Sequence, residues 1–66
     1  MLRIGSQGAR VERLQSALNE KLSPPPDLNV DGEFGPITRA AVVAWQKSAK
    51  VAETGQIDRA TWKLLG

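Results

Sequence analysis

The stretch Asp31-Gly32-Glu33-Phe34-Gly35-Pro36-Ile37-Thr38 decides the fold, because it joins a tight glycine turn to the start of a helix. Asp31 can organise the turn through its side-chain oxygen, and Gly32 supplies the positive φ that the turn requires. Phe34 is placed to enter a core. Pro36 favours the first position of a helix, where its missing N–H is not needed. The stretch therefore predicts a turn that runs directly into a helix.

A weaker copy of this stretch follows in the segment 54–61. The two copies correspond at one constant offset, which pairs Gly32 with Gly55, Phe34 with Ile57, Thr38 with Thr61 and Val42 with Leu65. A turn-helix unit that is used twice in a chain of 66 residues predicts a small helical repeat module.

Apolar periodicity predicts a first helix over about 7–21. Four apolar residues recur at spacings of three and four, namely Val11, Leu14, Leu18 and Leu22. Polar residues, including Arg10, Arg13 and Gln15, occupy the rest of the helix surface. Ser6 is a candidate N-cap. The prolines of Ser23-Pro24-Pro25-Pro26 should end the helix in an extended, stiff surface loop.

Two further helices are expected at about 36–50 and 58–65. The middle helix has one broad apolar face, formed by Phe34, Ile37, Ala41, Val42, Trp45 and Ala49. Ala40, Ala41 and Ala44 are small enough to let a neighbouring helix approach. Asp58 is the candidate N-cap of the last helix, and Ile57 and Trp62 stand where a hydrophobic staple would place them. The expected fold is all-α, a single three-helix bundle of pseudo-repeated turn-helix units spanning 1–66.

Composition argues against an enzyme. The chain has no Cys and no His, which removes disulfides, thiolate metal sites and the commonest general base. The formal net charge is only +2, and the cationic residues are dispersed along the chain. No apolar run reaches the length of a membrane span, and the N-terminus shows no apolar signal core. We therefore expect no membrane insertion, and no cofactor.

The segment 27–38 is also a near copy of a calcium-binding loop. Asp27, Asn29 and Asp31 stand at loop positions 1, 3 and 5, and Gly32 stands at position 6. Position 12, which needs a bidentate Glu, is Thr38. Losing that residue removes two of about seven ligand oxygens. The sequence thus favours a structural turn, and no metal is expected.

Three groups of residues stand in a specific order along nearly the whole chain. The first is Gly5-Ser6, Gly8, Val11, Leu14-Gln15 and Leu18-Asn19; the second is Val30-Asp31-Gly32, Phe34-Gly35-Pro36, Thr38, Ala41-Val42 and Trp45-Gln46; the third is Gly55, Thr61-Trp62 and Leu65. This order and spacing resemble the peptidoglycan-binding domain 1 family, a small three-helix cell-wall module. The resemblance implies a PGBD-like fold and a non-catalytic module that targets an attached cell-wall lytic enzyme, such as an endolysin, to murein.

The partners that the resemblance implies are the glycan strand, the stem peptide and an attached catalytic domain. A monomer is expected, located at the bacterial cell wall, in the periplasm or outside the cell. With no signal visible, a phage lysin that reaches the wall by another route is one reading. Two alternatives stay open: a protein-interaction or propeptide-like module that covers a catalytic domain, and a three-helix nucleic-acid-binding domain. The second has little support, because its recognition helix would carry only Arg59 and Lys63.

Five residues are candidates for touching the ligand. Glu33, Arg39 and Arg59 have no evident packing role, and arginine can pair bidentately with the carboxylates of stem peptides. Trp62 lies on a short terminal helix and can expose a ring edge, whereas Trp45 lies on the apolar stripe and is expected in the core. Gln46 is the fifth candidate, with the structural alternative that its amide satisfies loop carbonyls.

Overall fold

Three helices connected by loops form the fold. The structure, a computed structural model, describes residues 1–23 and 26–65. The helices are α1 (Ala9–Lys21), α2 (Pro36–Ser48) and α3 (Arg59–Leu65). Strand pairing within those residues is limited to two isolated antiparallel bridges. The prediction of an all-α three-helix fold is confirmed. Pro24 and Pro25 of the predicted stiff loop, and Gly66 at the end of the predicted domain, lie outside the described residues.

Helix α1 begins two residues later than the periodicity suggested. Gly8 occupies the N-cap position, and no side chain caps the helix. The Ser6 hydroxyl instead accepts a hydrogen bond from the backbone N–H of Arg3 at 3.1 Å. The prediction that Ser6 caps α1 was therefore wrong, because its oxygen closes a turn that precedes the helix.

Helix α2 ends at Ser48 rather than at 50, and it ends in a Schellman motif. The N–H of Val51 donates to the carbonyl of Gln46 at 3.0 Å, and the N–H of Lys50 donates to that of Lys47 at 3.2 Å. These two bonds satisfy carbonyls that the end of a helix leaves without partners. Lys50 adopts the left-handed conformation (φ 61°) that glycine usually supplies at this position.

Helix α2 begins where the sequence predicts, but part of its predicted apolar face is exposed to solvent. Pro36 stands in the first turn, as expected. Ile37 is 76% exposed, and Ala40, Ala44 and Ala49 are exposed as well. The helix turns a narrower stripe inward, which consists of Thr38, Ala41, Val42, Trp45 and Gln46. The prediction of a broad apolar face that includes Ile37 and Ala49 was therefore wrong in width, and Ala40 and Ala44 are exposed to solvent.

Helix α3 begins as the sequence predicts. The carboxylate of Asp58 accepts a hydrogen bond from the N–H of Thr61 at 2.7 Å, which is the geometry of an N-cap. Leu65 is 1% exposed and anchors the helix, whereas its neighbour Leu64 is 63% exposed. Trp62 is half-buried and packs against the core.

One hydrophobic core connects the helices and the turns. It contains Val11, Leu14, Leu18, Leu28, Phe34, Ala41, Val42, Trp45, Ile57 and Leu65. Phe34 and Ile57, the corresponding residues of the two turns, are both buried. Trp45 is 7% exposed, so its predicted place in the core is confirmed. None of the helices in the described ranges is both long and apolar enough to cross a bilayer.

The segment 1–8, which we term the N-terminal strap, pairs with both turns. The N–H and C=O of Leu2 bond to Ile57 in the second turn, at 2.8 Å each. The N–H and C=O of Phe34 in the first turn bond to the carbonyl of Ser6 and the N–H of Gly5, at 3.0 Å each. The strap therefore fixes the two turns relative to each other.

Candidate functional site

Gln15 holds the first turn to α1. Its side chain is 1% exposed, and its Oε1 accepts from the N–H of Gly32 at 3.0 Å. Its Nε2 lies 3.0 Å from Asp31 Oδ1, 3.0 Å from the carbonyl of Glu33 and 3.1 Å from Thr38 Oγ1. The side-chain amide thus serves both backbone and side-chain groups of the turn. The placement of Gln15 on the polar surface of the first helix was wrong.

Gln46 makes bonds in the second turn that correspond to three of the four made by Gln15, the exception being the contact of Gln15 with Thr38. Its Oε1 accepts from the N–H of Gly55 at 3.0 Å. Its Nε2 donates to the carbonyl of Gln56 at 2.9 Å and to Thr54 Oγ1 at 3.2 Å. Gly32 and Gly55 have φ of 77° and 74°, so the two turns share one backbone conformation as well as one glutamine contact. The repeat read from the sequence is therefore a repeat of hydrogen-bond pattern.

The carboxylates of Asp31 and Asp58 also belong to the turns. The backbone N–H of Glu33, and then the side chain of Gln15, lower the pKa of Asp31 below its ordinary value. The backbone N–H of Thr61, and then its side chain, lower the pKa of Asp58. Both carboxylates are therefore held in their charged form by the bonds that shape the chain around them.

The segment that resembles a calcium loop acts as a turn. Asp31 Oδ1 accepts from the N–H of Glu33 at 2.9 Å as well as from Gln15, so this oxygen is occupied by the protein's own donors. Among residues 1–23 and 26–65, no three acidic side chains come together as a group that could hold a metal ion.

A groove between α1 and α3 is one of the surface cavities that could receive a ligand. Its cavity volume is about 440 Å³, and its lining includes Leu2, Arg10, Arg13, Asp58, Arg59 and Trp62. A second cavity of about 440 Å³ shares Arg13 and Trp62 with the first and adds Ala17, Lys63 and Leu65. We refer to the two together as the α1–α3 groove. The half-buried indole of Trp62 lies at the junction of its two parts. A larger cavity of about 650 Å³ lies beside α2, but its lining contains none of the five candidate residues.

The structure brings together only two of the five residues predicted to touch a ligand. Arg59 and Trp62 line the α1–α3 groove. Glu33 lines a separate cavity of about 170 Å³ beside the first turn. Arg39 packs over the second turn, since a methyl group added at Gly55 would lie 2.8 Å from Arg39 Nε.

Gln46 differs from the other four candidates because its side chain is 1% exposed. Its amide is engaged with the second turn, which is the structural alternative considered for it above. A buried amide in these bonds cannot contact a ligand directly unless the turn opens, and we leave Gln46 out of the contact surface proposed below.

Two groove residues, Arg10 and Arg13, were not among the residues expected to touch a ligand. The signal that could have found them is their spacing of three, which places both on one face of α1. That face could be recognised as part of a groove only once α3 was placed beside it. Gln15 also had a signal, since both Gln15 and Gln46 follow a large apolar residue on a helix that precedes a glycine turn.

The chain is similar to a crystal structure of a peptidoglycan-binding protein from Clostridioides difficile in complex with glutamine hydroxamate. The TM-score is 0.86 and the sequence identity is 34%, over 98% of this chain and 39% of that chain. This chain thus spans about two fifths of the length of that one. None of the curated proteins matches the chain. Residues 7–65 match the family described as "Putative peptidoglycan binding domain". Since this match covers almost all of the chain, the protein belongs to that peptidoglycan-binding domain family.

Proposed function

We propose that this peptidoglycan-binding module is non-catalytic and holds an attached cell-wall lytic enzyme at its substrate. The observation that carries the proposal is the family match over residues 7–65. The similar protein from Clostridioides difficile is itself described as peptidoglycan-binding. A binding role also suits a sequence without Cys or His, since binding requires neither a nucleophile nor a general base.

The contact surface that we propose centres on the α1–α3 groove. Trp62 offers part of an indole face to an apolar portion of the ligand, and Arg59 offers a guanidinium to a carboxylate of the stem peptide. Glu33 and Arg39 are exposed on other parts of the surface, where they could contact neighbouring strands of the wall. An interface of this size should bind weakly on its own, and tethering would raise the effective concentration of the enzyme at the wall.

Sedimentation with purified sacculi tests whether the chain binds peptidoglycan. We expect the protein to pellet with sacculi at low salt and to stay in the supernatant with insoluble cellulose or chitin, which lack the stem peptide. Protein that remains in the supernatant with sacculi at low salt would contradict the proposal.

A fusion tests the targeting role separately. The chain would be joined to a lytic catalytic domain that has no wall-binding module of its own. We expect faster release of soluble fragments from sacculi than the catalytic domain alone gives, and unchanged activity on a small soluble substrate. Loss of the soluble activity would favour the alternative, in which the module covers a catalytic domain.

The location and the oligomeric state follow from this role. We propose that the module acts as a monomer at the bacterial cell wall, in the periplasm or outside the cell, and that an endolysin is one kind of enzyme that could carry it. Sedimentation velocity over a range of concentrations tests the monomer. A concentration-dependent shift to a dimer would contradict it.

A further inference from the structure

The α1–α3 groove carries more positive charge than the dispersed charges of the sequence suggested. Arg10 and Arg13 reach it from α1, and Arg59 reaches it from α3. All three side chains are exposed to solvent. Asp58 is the single carboxylate in the lining of this cavity, and its Oδ1 accepts the N–H of Thr61 at 2.7 Å. Three arginines therefore line the cavity, together with one carboxylate that is already engaged in capping α3.

Guanidinium groups recognise carboxylates by two parallel hydrogen bonds, and they retain their charge at every physiological pH. Trp62 supplies an apolar wall beside them, and the adjoining cavity continues past Ala17 and Leu65. A ligand that fits this arrangement has a carboxylate at one end and an aliphatic or sugar portion next to it. A short acidic peptide with apolar neighbours has this chemistry.

We propose that the α1–α3 groove is a carboxylate site, in which Arg10, Arg13 and Arg59 bind an acidic peptide of the wall and Trp62 packs against its apolar part. The proposal rests on the proposed function, because it assigns a ligand class to the same surface. It makes the stem peptide, rather than the neutral sugar chain, the main determinant of binding.

The shape of the groove argues against a nucleic acid as its ligand. A helix that reads duplex DNA lies along the major groove and places several side chains on base edges and phosphates. Here α3 has seven residues, and its Trp62 is turned partly into the core. The three arginines instead line a cavity of about 440 Å³, which suits a small group better than a continuous phosphate backbone.

A matched pair of ligands tests the site directly. One is a soluble muramyl peptide with free carboxylates, and the other is the same peptide with every carboxylate converted to a carboxamide. Titrations followed by ¹H–¹⁵N spectra would report on the Trp62 indole and on the N–H groups around the groove. We expect the acid to bind at least about five- to tenfold more tightly than the amide, which is the loss of one or two partly exposed charged contacts. Equal affinities would overturn the proposal.

Charge-matched variants identify the residues. The groove variant Arg10→Gln/Arg13→Gln/Arg59→Gln removes three positive charges from the cavity. The control variant Arg3→Gln/Lys21→Gln/Lys47→Gln removes three from exposed positions elsewhere. We expect the groove variant to lose at least about tenfold in affinity for the acid, and the control to stay within about twofold. Equal losses in both would show that only net charge matters, and would overturn the assignment to the groove.

The same variants in the sacculus assay separate this inference from the proposed function. If the wild type pellets and the groove variant pellets equally well, the function stands and the groove assignment fails. If the wild type does not pellet but binds the muramyl peptide through the three arginines, the carboxylate site stands and the wall-targeting role fails. A soluble chito-oligosaccharide, which is a neutral sugar chain without a stem peptide, should bind at least about tenfold more weakly than the muramyl peptide, and equal affinity would overturn the proposal. Tighter binding to duplex DNA than to the muramyl peptide would overturn it as well.

Discussion

At the scale of single residues, the side chains of Gln15 and Gln46 supply the hydrogen-bond partners that the backbone groups of the two turns need. Each buried amide offers an acceptor to the glycine N–H and a donor to the carbonyl that follows. Burying an amide is costly unless its hydrogen bonds are made, and here they are made with backbone groups that would otherwise lack partners. The conformation of each turn therefore depends on how the helix that carries the glutamine packs against it.

Replacing Gln15 with methionine tests this coupling. Methionine fills a similar volume but can offer no N–H and no strong acceptor, so the buried N–H of Gly32 and the carbonyl of Glu33 lose their partner. We expect the free energy of unfolding to fall by about 2–3 kcal/mol, measured by urea denaturation. The matched control is Gln56→Met, at an exposed side chain, which should change stability by less than about 0.5 kcal/mol. Similar losses in both variants would contradict the assigned role.

Stability should also depend on pH through the two turn carboxylates. The pKa of Asp31 is lowered in the folded state from an ordinary value of 3.8, so the unfolded chain takes up this proton first as the pH falls. The stabilisation is fully present above the unfolded pKa and is lost as the pH falls through the folded pKa. The pKa of Asp58 is also lowered in the folded state, so the stabilisation from Asp58 is likewise lost as the pH falls.

The measurement is the melting temperature between about pH 5 and pH 2. In Asp31→Asn the amide oxygen can still accept from the N–H of Glu33, but it does not titrate in this range. We expect the melting temperature of this variant to fall less on acidification than that of the wild type. In Asp31→Asn/Asp58→Asn it should fall by even less. An acid limb with the wild-type slope in both variants would rule out this account.

The structural roles that could be predicted from sequence are those that depend on the neighbouring residues in the chain. Gly32 and Gly55 need a positive φ, Phe34 and Ile57 are apolar residues beside a turn, and Asp58 precedes a helix. Gln15 has no local reason of this kind to be buried, because a polar residue on a helix is expected at the surface, and only its similarity to Gln46 marks it in the sequence. The turn that Gln15 contacts is separated from α1 by a loop, and helical periodicity does not show that the loop brings the two together.

At the scale of the helices, the end of α2 contains a local strain that the sequence does not reveal. Lys50 takes the left-handed conformation at a position where glycine fits without steric cost. Lys50→Gly should therefore raise the free energy of unfolding by about 0.5–1 kcal/mol, after the entropy lost by a more flexible unfolded chain is subtracted. Thermal or urea denaturation gives the measurement.

The control for this variant is a glycine substitution that should lower stability instead of raising it. Lys47→Gly lies inside the last turn of α2 and should lower stability by about 1 kcal/mol. If both glycine variants lower stability, the Schellman motif does not strain Lys50 as we describe.

Sequence patterns located all three helices but only part of the set of residues that they bury. Leu64 and Leu65 are adjacent and chemically identical, yet only Leu65 enters the core. Ile37 likewise fits a helical apolar stripe and is exposed. These outcomes depend on the direction in which each helix meets its neighbours, and that direction is set by the turns and the strap rather than by the period of the helix itself.

At the scale of the whole molecule, the strap is the part that joins the two turn-helix units. A variant without residues 1–4 loses two backbone hydrogen bonds to Ile57, the exposed turn bonds between Arg3 and Ser6, and the half-buried side chain of Leu2. We expect the free energy of unfolding to fall by about 2–3 kcal/mol in urea denaturation, from about 1 kcal/mol for each hydrogen bond to Ile57 and up to about 1 for the side chain.

The control for this truncation keeps the strap and changes its exposed residues. Met1 is 72% exposed and Ile4 is 53% exposed, so Met1→Ser/Ile4→Ser should lie within about 0.5 kcal/mol of the wild type. A truncated chain as stable as this control would show that the pairing with Ile57 contributes little.

The groove, too, is a property of the whole molecule. Its arginines come from opposite ends of the sequence, and neither helix alone forms a concave surface. Arg59 and Trp62 were among the residues expected to touch a ligand because they lacked a packing role or sat on a terminal helix. Arg10 and Arg13 had the same exposure, but their association with Arg59 depends on how α1 and α3 approach each other.

The pairing of Leu2 with Ile57 also has a consequence for biosynthesis. A ribosome makes the strap well before its partner in the second turn, so the strap stays unpaired until that turn has emerged. Until then Leu2 has no partner and the core remains open on the side that α3 will cover. A nascent chain that stalls before Ile57 should therefore be an easy substrate for proteases, and the module should gain resistance once Ile57 has emerged and paired with Leu2.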